Sequence, residues 1–221
     1  MNKSAIRDAV AERMDVVLDR AAGRTNVSIT SDAFLSNHIT ECDRRIMYRV
    51  YREEETEKRD DAGDFAKDAV VKSWVRLLNE KSSVKVLDTA CLLDDARYSI
   101  SGKADAVVSF QGVSAVLRLV PVCSEIEEIK KKGAKRRHTV DLMLLSWMAD
   151  IHHGFLIYVD TYVGTHCTYH VVPLRPIVRS ACEKCKRLND IKLGGGLPDR
   201  VYETKNSKEC QSCEYSATCW R

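Results

Sequence analysis

The sequence predicts an α/β protein with a central mixed β-sheet flanked by helices. Three observations predict it. Apolar residues recur at helical spacing before residue 84, and from there the apolar period changes to two. A segment at 140–150 that is apolar nearly all round then separates two groups of strand-like segments, as a buried helix would. Strands interrupted by a buried helix are typical of a sheet covered by helices.

The N-terminal part is predicted to be helical. An apolar stripe runs through 3–22, and Ser31 and Asp32 offer an N-cap for a second helix. A third helix is predicted over 65–78. The run 52–61 contains no apolar residue and predicts a solvated or mobile link.

The remainder is predicted to be mainly β-structure. Six strands are predicted, over 84–87, 98–100, 104–110, 113–122, 154–159 and 167–174, with turns at Asp94-Asp95 and Gln111-Gly112. A helix over 176–191 and an irregular tail follow. We expect a single integrated domain with three parts: a helical region 1–82, a core 83–193 and a tail 194–221.

Composition limits the classes of protein that need consideration. The chain has 221 residues, 44% of them hydrophobic and 30% charged, as in soluble globular proteins. No apolar run reaches the roughly 20 residues of a membrane span, and the N-terminus lacks the apolar core of a secretory signal. A net charge of +3 is too small to indicate a nucleic-acid partner by itself. We therefore expect a cytoplasmic protein.

The nine cysteines indicate metal ligation rather than disulfide bonds, because their number is odd and they cluster. Cys210, Cys213 and Cys219 have C-x2-C-x5-C spacing in a tail that is too short and polar to bury them. Three thiolates are one fewer than an iron–sulfur cluster or a structural zinc ion requires. A fourth ligand must come from elsewhere in the chain.

Two sources of the fourth ligand are open. Cys182 and Cys185 have C-x2-C spacing and would complete a zinc-ribbon interaction module with the tail. They lie, however, in an apolar helical stripe, where cysteine behaves as a small buried hydrophobe. The other source is Cys42, a single cysteine of the second predicted helix.

The pairing of Cys42 with a C-terminal C-x2-C-x5-C motif that follows Leu197-Pro198 resembles a known family. It is similar to the RecB-like iron–sulfur nucleases of the PD-(D/E)XK superfamily, above all the CRISPR-associated RecB-like exonucleases and their phage relatives. The resemblance implies a [4Fe–4S] cluster that joins the two ends of the chain. By position its ligands would be Cys42, Cys210, Cys213 and Cys219, and we expect a structural role.

The resemblance also implies a metal-dependent nuclease centre, built from a Gly-x-x-Asp strand and a Glu-x-Lys strand. Gly102 and Asp105 match the first pattern, so Asp105 is a retained or relic metal ligand. In the second strand, Arg118 and Val120 stand where the glutamate and lysine belong. An arginine cannot ligate a divalent cation and repels one. We therefore expect a degenerate centre.

A second interpretation keeps the activity. A Glu128-Ile-Lys130 sequence follows, and Asp105, Glu128 and Lys130 could form an active Mg²⁺- or Mn²⁺-dependent exonuclease. That segment lacks strand alternation and is more typical of a charged loop or helix. Asp141 and Leu145 also replace the glutamine and tyrosine of the family's later helix, which favours the degenerate interpretation.

A basic run just before the buried helix suggests a DNA contact. In this fold the region borders the DNA groove, and Arg118 would add a positive charge there. The expected phosphate-binding residues are Arg118, Lys130, Lys131, Lys132, Lys135, Arg136 and Arg137. The resulting expectation is a non-catalytic protein that binds single-stranded or end-containing DNA, or a nucleoprotein partner.

Overall fold

The computed structural model describes residues 33–53, 62–81 and 83–221. The helix predicted over 3–22 and the N-cap predicted at Ser31 and Asp32 lie outside these ranges. The elements are β1 (Phe34–Leu35), a 3-10 turn (Ser36–His38), α1 (Asp43–Glu53), α2 (Ala62–Lys81), β2 (Lys85–Thr89), β3 (Leu92–Asp95), β4 (Ile100–Lys103), β5 (Ala106–Phe110), β6 (Val113–Val122), α3 (Ile126–Lys132), α4 (Arg136–Met148), β7 (His153–Asp160), β8 (His166–Val171), α5 (Arg175–Leu193), α6 (Lys208–Gln211) and α7 (Ser216–Cys219).

The larger sheet has five strands in the order β2-β5-β6-β7-β8. Strands β6 and β7 are parallel and the other pairs are antiparallel, so the sheet is mixed, as predicted. The parallel pair is possible because α3 and α4 form the crossover between its two strands. A smaller sheet has the order β1-β4-β3.

Two predictions near the smaller sheet are wrong. Phe34 and Leu35, predicted to be helical, form β1 because they pair in parallel with Ile100 and Ser101 of β4. The predicted turn at Asp94-Asp95 is the end of β3, which pairs with the same two residues from the other side. The turn lies instead at 96–99, where Ser99 has a positive φ of 52°.

Two apolar layers cover the larger sheet. One face packs against α4, which is buried almost all round, as its sequence predicted. The other face packs Leu117 and Leu119 of β6 with Val75 of α2 in a separate cluster. Because side chains alternate along β6, Arg118 points to the α4 side. Among the described residues, no helix is long and apolar enough to cross a membrane.

Candidate functional site

Asp105 lies between β4 and β5, where the chain passes from the smaller sheet to the larger one. The backbone N–H of Leu119 donates to its Oδ2 atom at 2.7 Å, which fixes the carboxylate beside β6. Burial raises the pKa of Asp105, whereas Arg118 and the Leu119 amide act in the opposite direction. The aspartate of the predicted motif therefore has a well-defined position.

The guanidinium of Arg118 lies among oxygen atoms from three residues. Its Nη1 atom donates to the carbonyl of Lys103 at 2.9 Å and lies 3.4 Å from Oδ1 of Asp105. Its Nε atom lies 3.2 Å from Oδ2 of Asp141. Carboxylate and carbonyl oxygens are the ligands that hard divalent cations prefer. A side-chain cation therefore occupies an oxygen-lined position of the kind that a metal ion would use.

Asp141 of α4 is the partner that the sequence did not reveal. Its side chain is only 3% exposed, and the hydroxyl of Ser36 donates to its Oδ1 atom at 2.6 Å. Burial raises the pKa of Asp141, opposed by Arg118 and by the Ser36 hydrogen bond. An acidic residue in an otherwise apolar helix was the available signal, since such a group is rarely buried without a partner.

Gly102 allows these elements to approach one another. A Cβ atom at this position would lie 2.3 Å from Oγ of Ser36 and 2.7 Å from a methyl group of Leu145. The glycine of the Gly-x-x-Asp pattern therefore gives the 3-10 turn and α4 the space that brings Ser36 to Asp141.

Glu128 and Lys130 lie on α3, a helix, as the absence of strand alternation indicated. Their side chains are 62% and 42% exposed, and each forms an ion pair within α3. Among the described residues, neither ion pair reaches Asp105. The geometry therefore gives no support to a site that joins them to Asp105.

The basic run is partly neutralised by its own segment. Three of its six cations form ion pairs, Lys130 with Glu127, Lys132 with Glu128 and Lys135 with Glu125. The side chains of Lys131, Arg136 and Arg137 are exposed, and Arg137 donates from Nε to Nε2 of His138 at 3.0 Å. Arg136 and Arg137 begin α4, the same helix that carries Asp141.

His138 is a further residue that sequence reasoning missed. Its Nδ1 atom lies 2.9 Å from the hydroxyl of Tyr158. Burial, together with the positive charges of Arg137, Lys135 and Arg118, lowers the pKa of His138 to about 4. The imidazole is therefore neutral near pH 7 and supplies no positive charge beside the centre.

The C-terminal tail packs on α1, the helix that follows Cys42. Tyr215 stacks on Tyr48 with ring centroids 5.4 Å apart, and Glu214 pairs with Arg45 at 3.1 Å and Arg49 at 3.0 Å. In the same interface Arg44 donates to the carbonyl of Pro198 at 2.6 Å. The two segments that carry the predicted cluster ligands are therefore joined by protein contacts.

The donor set fits an iron–sulfur cluster in kind. All four predicted ligands are partly exposed rather than core cysteines, and the Cys219 sulfur accepts a contact from Arg44 at 3.8 Å. The neighbouring Trp220 Nε1 is buried and has no hydrogen-bond acceptor. Within the described part of the chain, however, no three His, Cys, Asp or Glu side chains are arranged to hold a metal ion. The ligand set Cys42, Cys210, Cys213 and Cys219 therefore stays a prediction.

The other cysteine pair has the character of core residues. Cys182 and Cys185 are buried in α5, and burial raises their pKa values to about 11 and about 12. Thiols that are protonated at neutral pH are poor metal ligands, so this geometry disfavours the zinc ribbon. Cys91 is buried as well, whereas Cys123 is exposed and its predicted packing role is wrong.

No protein-family model and no curated protein matches the sequence. Solved structures match the fold. The alkaline exonuclease LHK-Exo from Laribacter hongkongensis has 10% identity and a TM-score of 0.56, covering 74% of this chain and 89% of its own. Its complex with dAMP has 10% identity and a TM-score of 0.58, covering 76% and 90%. The crystal structure of SSO0001 has 16% identity and a TM-score of 0.53, covering 93% and 95%.

These identities are low, so the similarity concerns the fold alone. The fold is that of the alkaline exonucleases, which are PD-(D/E)XK-like nucleases. This confirms the predicted class of α/β core, with a mixed sheet flanked by helices. It leaves the activity of this chain to be inferred from its own residues.

Proposed function

We propose that this chain is a DNA-binding protein of the exonuclease fold whose metal centre is degenerate, so that it acts without cutting DNA. The carrying observation is the position of Arg118 between Asp105 and Asp141. A doubly charged ion about 4 Å from the guanidinium would be repelled by about 8 kcal/mol at an effective dielectric constant near 20. The two carboxylates are thus already neutralised by a cation that belongs to the chain.

The exposed cations at the start of α4 support DNA as the partner. Arg136 and Arg137 lie on the helix that carries Asp141, so a phosphate backbone held there would pass beside the inherited centre. We include Lys130, Lys131, Lys132 and Lys135 in the same surface, because exposed ion pairs contribute little and can exchange a glutamate for a phosphate. Arg118 is held by carboxylates, and its exposed edge is a secondary contact.

We also propose that Cys42, Cys210, Cys213 and Cys219 hold a [4Fe–4S] cluster, in line with the resemblance to the CRISPR-associated RecB-like family. The support is the docking of the tail on α1 and the soft, partly exposed thiols. When bound, the cluster would join the parts 1–82, 83–193 and 194–221 by bonds that bridge the two ends. Its role in this proposal is structural.

One alternative is an active divalent-metal-dependent DNA exonuclease. The fold shared with the alkaline exonucleases and the retained Asp105 favour it. In that case Mg²⁺ or Mn²⁺ would have to displace Arg118 from the carboxylates. A group from α3 such as Glu128 or Lys130 would also have to reach the centre.

A degradation assay on the full chain, purified without oxygen, separates the two functions. End-labelled single-stranded DNA is incubated with the protein in Mg²⁺ or Mn²⁺, and binding is measured in parallel. We expect binding without digestion, by wild type and by Asp105→Ala alike. Metal-dependent digestion that disappears in Asp105→Ala would overturn the proposal in favour of the exonuclease.

Metal analysis of the same preparation tests the cluster. We expect iron and acid-labile sulfide at about four atoms of each per chain, with both lost in Cys42→Ser. Loss in Cys182→Ser but not in Cys42→Ser, or zinc in place of iron, would instead identify the zinc-ribbon arrangement.

A further inference from the structure

Two histidines of adjacent strands approach each other nitrogen to nitrogen, away from the Arg118 centre. Nδ1 of His153 on β7 lies 3.0 Å from Nε2 of His170 on β8. The ring planes differ by 28° and the centroids are 5.2 Å apart. His170 is exposed and His153 is partly exposed, so solvent reaches the pair.

The strand register explains this juxtaposition. Phe155 pairs with His170, and alternation along β7 places His153 on the same face as Phe155. The Phe155 ring packs against His170 at a centroid distance of 5.3 Å and supports it from one side. Arg118 pairs with Leu156, on the opposite face of the sheet. The pair is therefore separate from the proposed DNA-binding centre.

The contact requires neutral imidazoles. One ring must donate its N–H while the other offers a lone pair, so both cannot be protonated. Burial and the neighbouring His170 and His152 lower the pKa of His153, which keeps its ring neutral near pH 7. Neutral imidazole is the form that binds metal ions.

We propose that His153 and His170 form a two-histidine site for a late first-row divalent metal ion such as Ni²⁺, Cu²⁺ or Zn²⁺. Two nitrogens about 2.05 Å from a tetrahedral ion lie about 3.3 Å apart, close to the separation already present. The ring that now donates moves its proton to its other nitrogen, and both lone pairs then point at the ion. Water completes the coordination, because no group of three metal-ligating side chains occurs within the described residues.

Calorimetric titration of the untagged, cluster-loaded full chain with Ni²⁺ at pH 7.5 tests the site. Ni²⁺ is the probe because Cu²⁺ would oxidise the thiols and Zn²⁺ would compete for them. His153→Gln and His170→Gln should each weaken binding at least about tenfold. The control is His166→Gln, because His166 lies on the same face of β8 and contacts Trp74 rather than a second histidine.

A second measurement locates the ion. The paramagnetic Ni²⁺ should broaden the ring signals of His153 and His170 in a nuclear magnetic resonance spectrum and leave those of His138 sharp. Ni²⁺ affinity that is unchanged in both variants would overturn the proposal, as would broadening confined to cysteine-bearing segments or no binding by the wild type. None of these results depends on whether the protein binds or cuts DNA.

Discussion

At the residue scale, Asp141 depends on one guanidinium for the balance of its charge. The carboxylate is almost fully buried, and its other polar contact is the neutral hydroxyl of Ser36. A buried ion that loses its partner is strongly destabilising, whereas the intact pair contributes little net stability. Arg118 is therefore needed for folding because Asp105 and Asp141 are both present.

Removal of Arg118 should therefore be costly and should create a demand for a cation. We predict that Arg118→Ala lowers the free energy of unfolding by about 3–5 kcal/mol. Mn²⁺ or Ca²⁺ should raise the melting temperature of this variant and leave the wild type unchanged, because the oxygens of Lys103, Asp105 and Asp141 are then free to bind it. Arg76→Ala, which breaks an exposed pair with Glu80, is the control and should cost at most about 0.5 kcal/mol. A variant that ignores divalent ions would contradict the assignment of this position as a cation site.

His138 gives a pH dependence of known sign. Its pKa is about 4 in the folded protein and 6.5 as the model value, so folding favours the neutral ring. Its contribution is complete above pH 6.5 and is lost as the pH falls from about 6.5 toward 4. Discounted for partial exposure, the loss should be about 1–2 kcal/mol.

Urea unfolding at pH 7 and pH 4.5 measures this contribution. The stability difference between the two pH values should be smaller in His138→Gln than in the wild type. His166→Gln, at an exposed position, should retain the wild-type difference. An equal pH dependence in all three proteins would show that His138 is not responsible.

At the element scale, the packing of β4 against the 3-10 turn and α4 depends on a missing side chain. We predict that Gly102→Ala lowers the free energy of unfolding by about 1–3 kcal/mol, because its Cβ would overlap Ser36 and Leu145. Gly196→Ala is the matched control, since its nearest contact would be an ordinary 3.7 Å. Thermal or urea unfolding of both variants checks this, and equal stability would contradict it.

The same elements show what the sequence could and could not predict. Asp105 was predictable because its Gly-x-x-Asp pattern is local and interrupts an apolar strand. The Ser36–Asp141 hydrogen bond joins residues 105 positions apart, so it depends on the packing of the turn against α4. Strand β1 was missed for a related reason: two residues carry no periodic signal, and only the pairing with β4 makes them a strand.

At the scale of the whole molecule, DNA affinity should depend on salt through the surface at the start of α4. The exposed Lys131, Arg136 and Arg137 give a slope of log affinity against log salt of about −2 for single-stranded DNA. If Lys130, Lys132 and Lys135 exchange their glutamates for phosphates, the slope becomes about −4. The measured slope therefore reports how much of the basic run the DNA contacts.

A paired substitution tests this surface directly. We predict that Arg136→Gln with Arg137→Gln makes the slope shallower by about 1.4, because two phosphate contacts are lost. The control, Arg179→Gln with Lys186→Gln, removes the same charge from exposed positions of α5 and should change the slope little if that helix lies outside the DNA path. Fluorescence anisotropy with a labelled oligonucleotide from 50 to about 200 mM salt measures both. An equal change in the two double variants would mean that DNA responds to total charge, and the start of α4 would then lose its assignment as the DNA-binding surface.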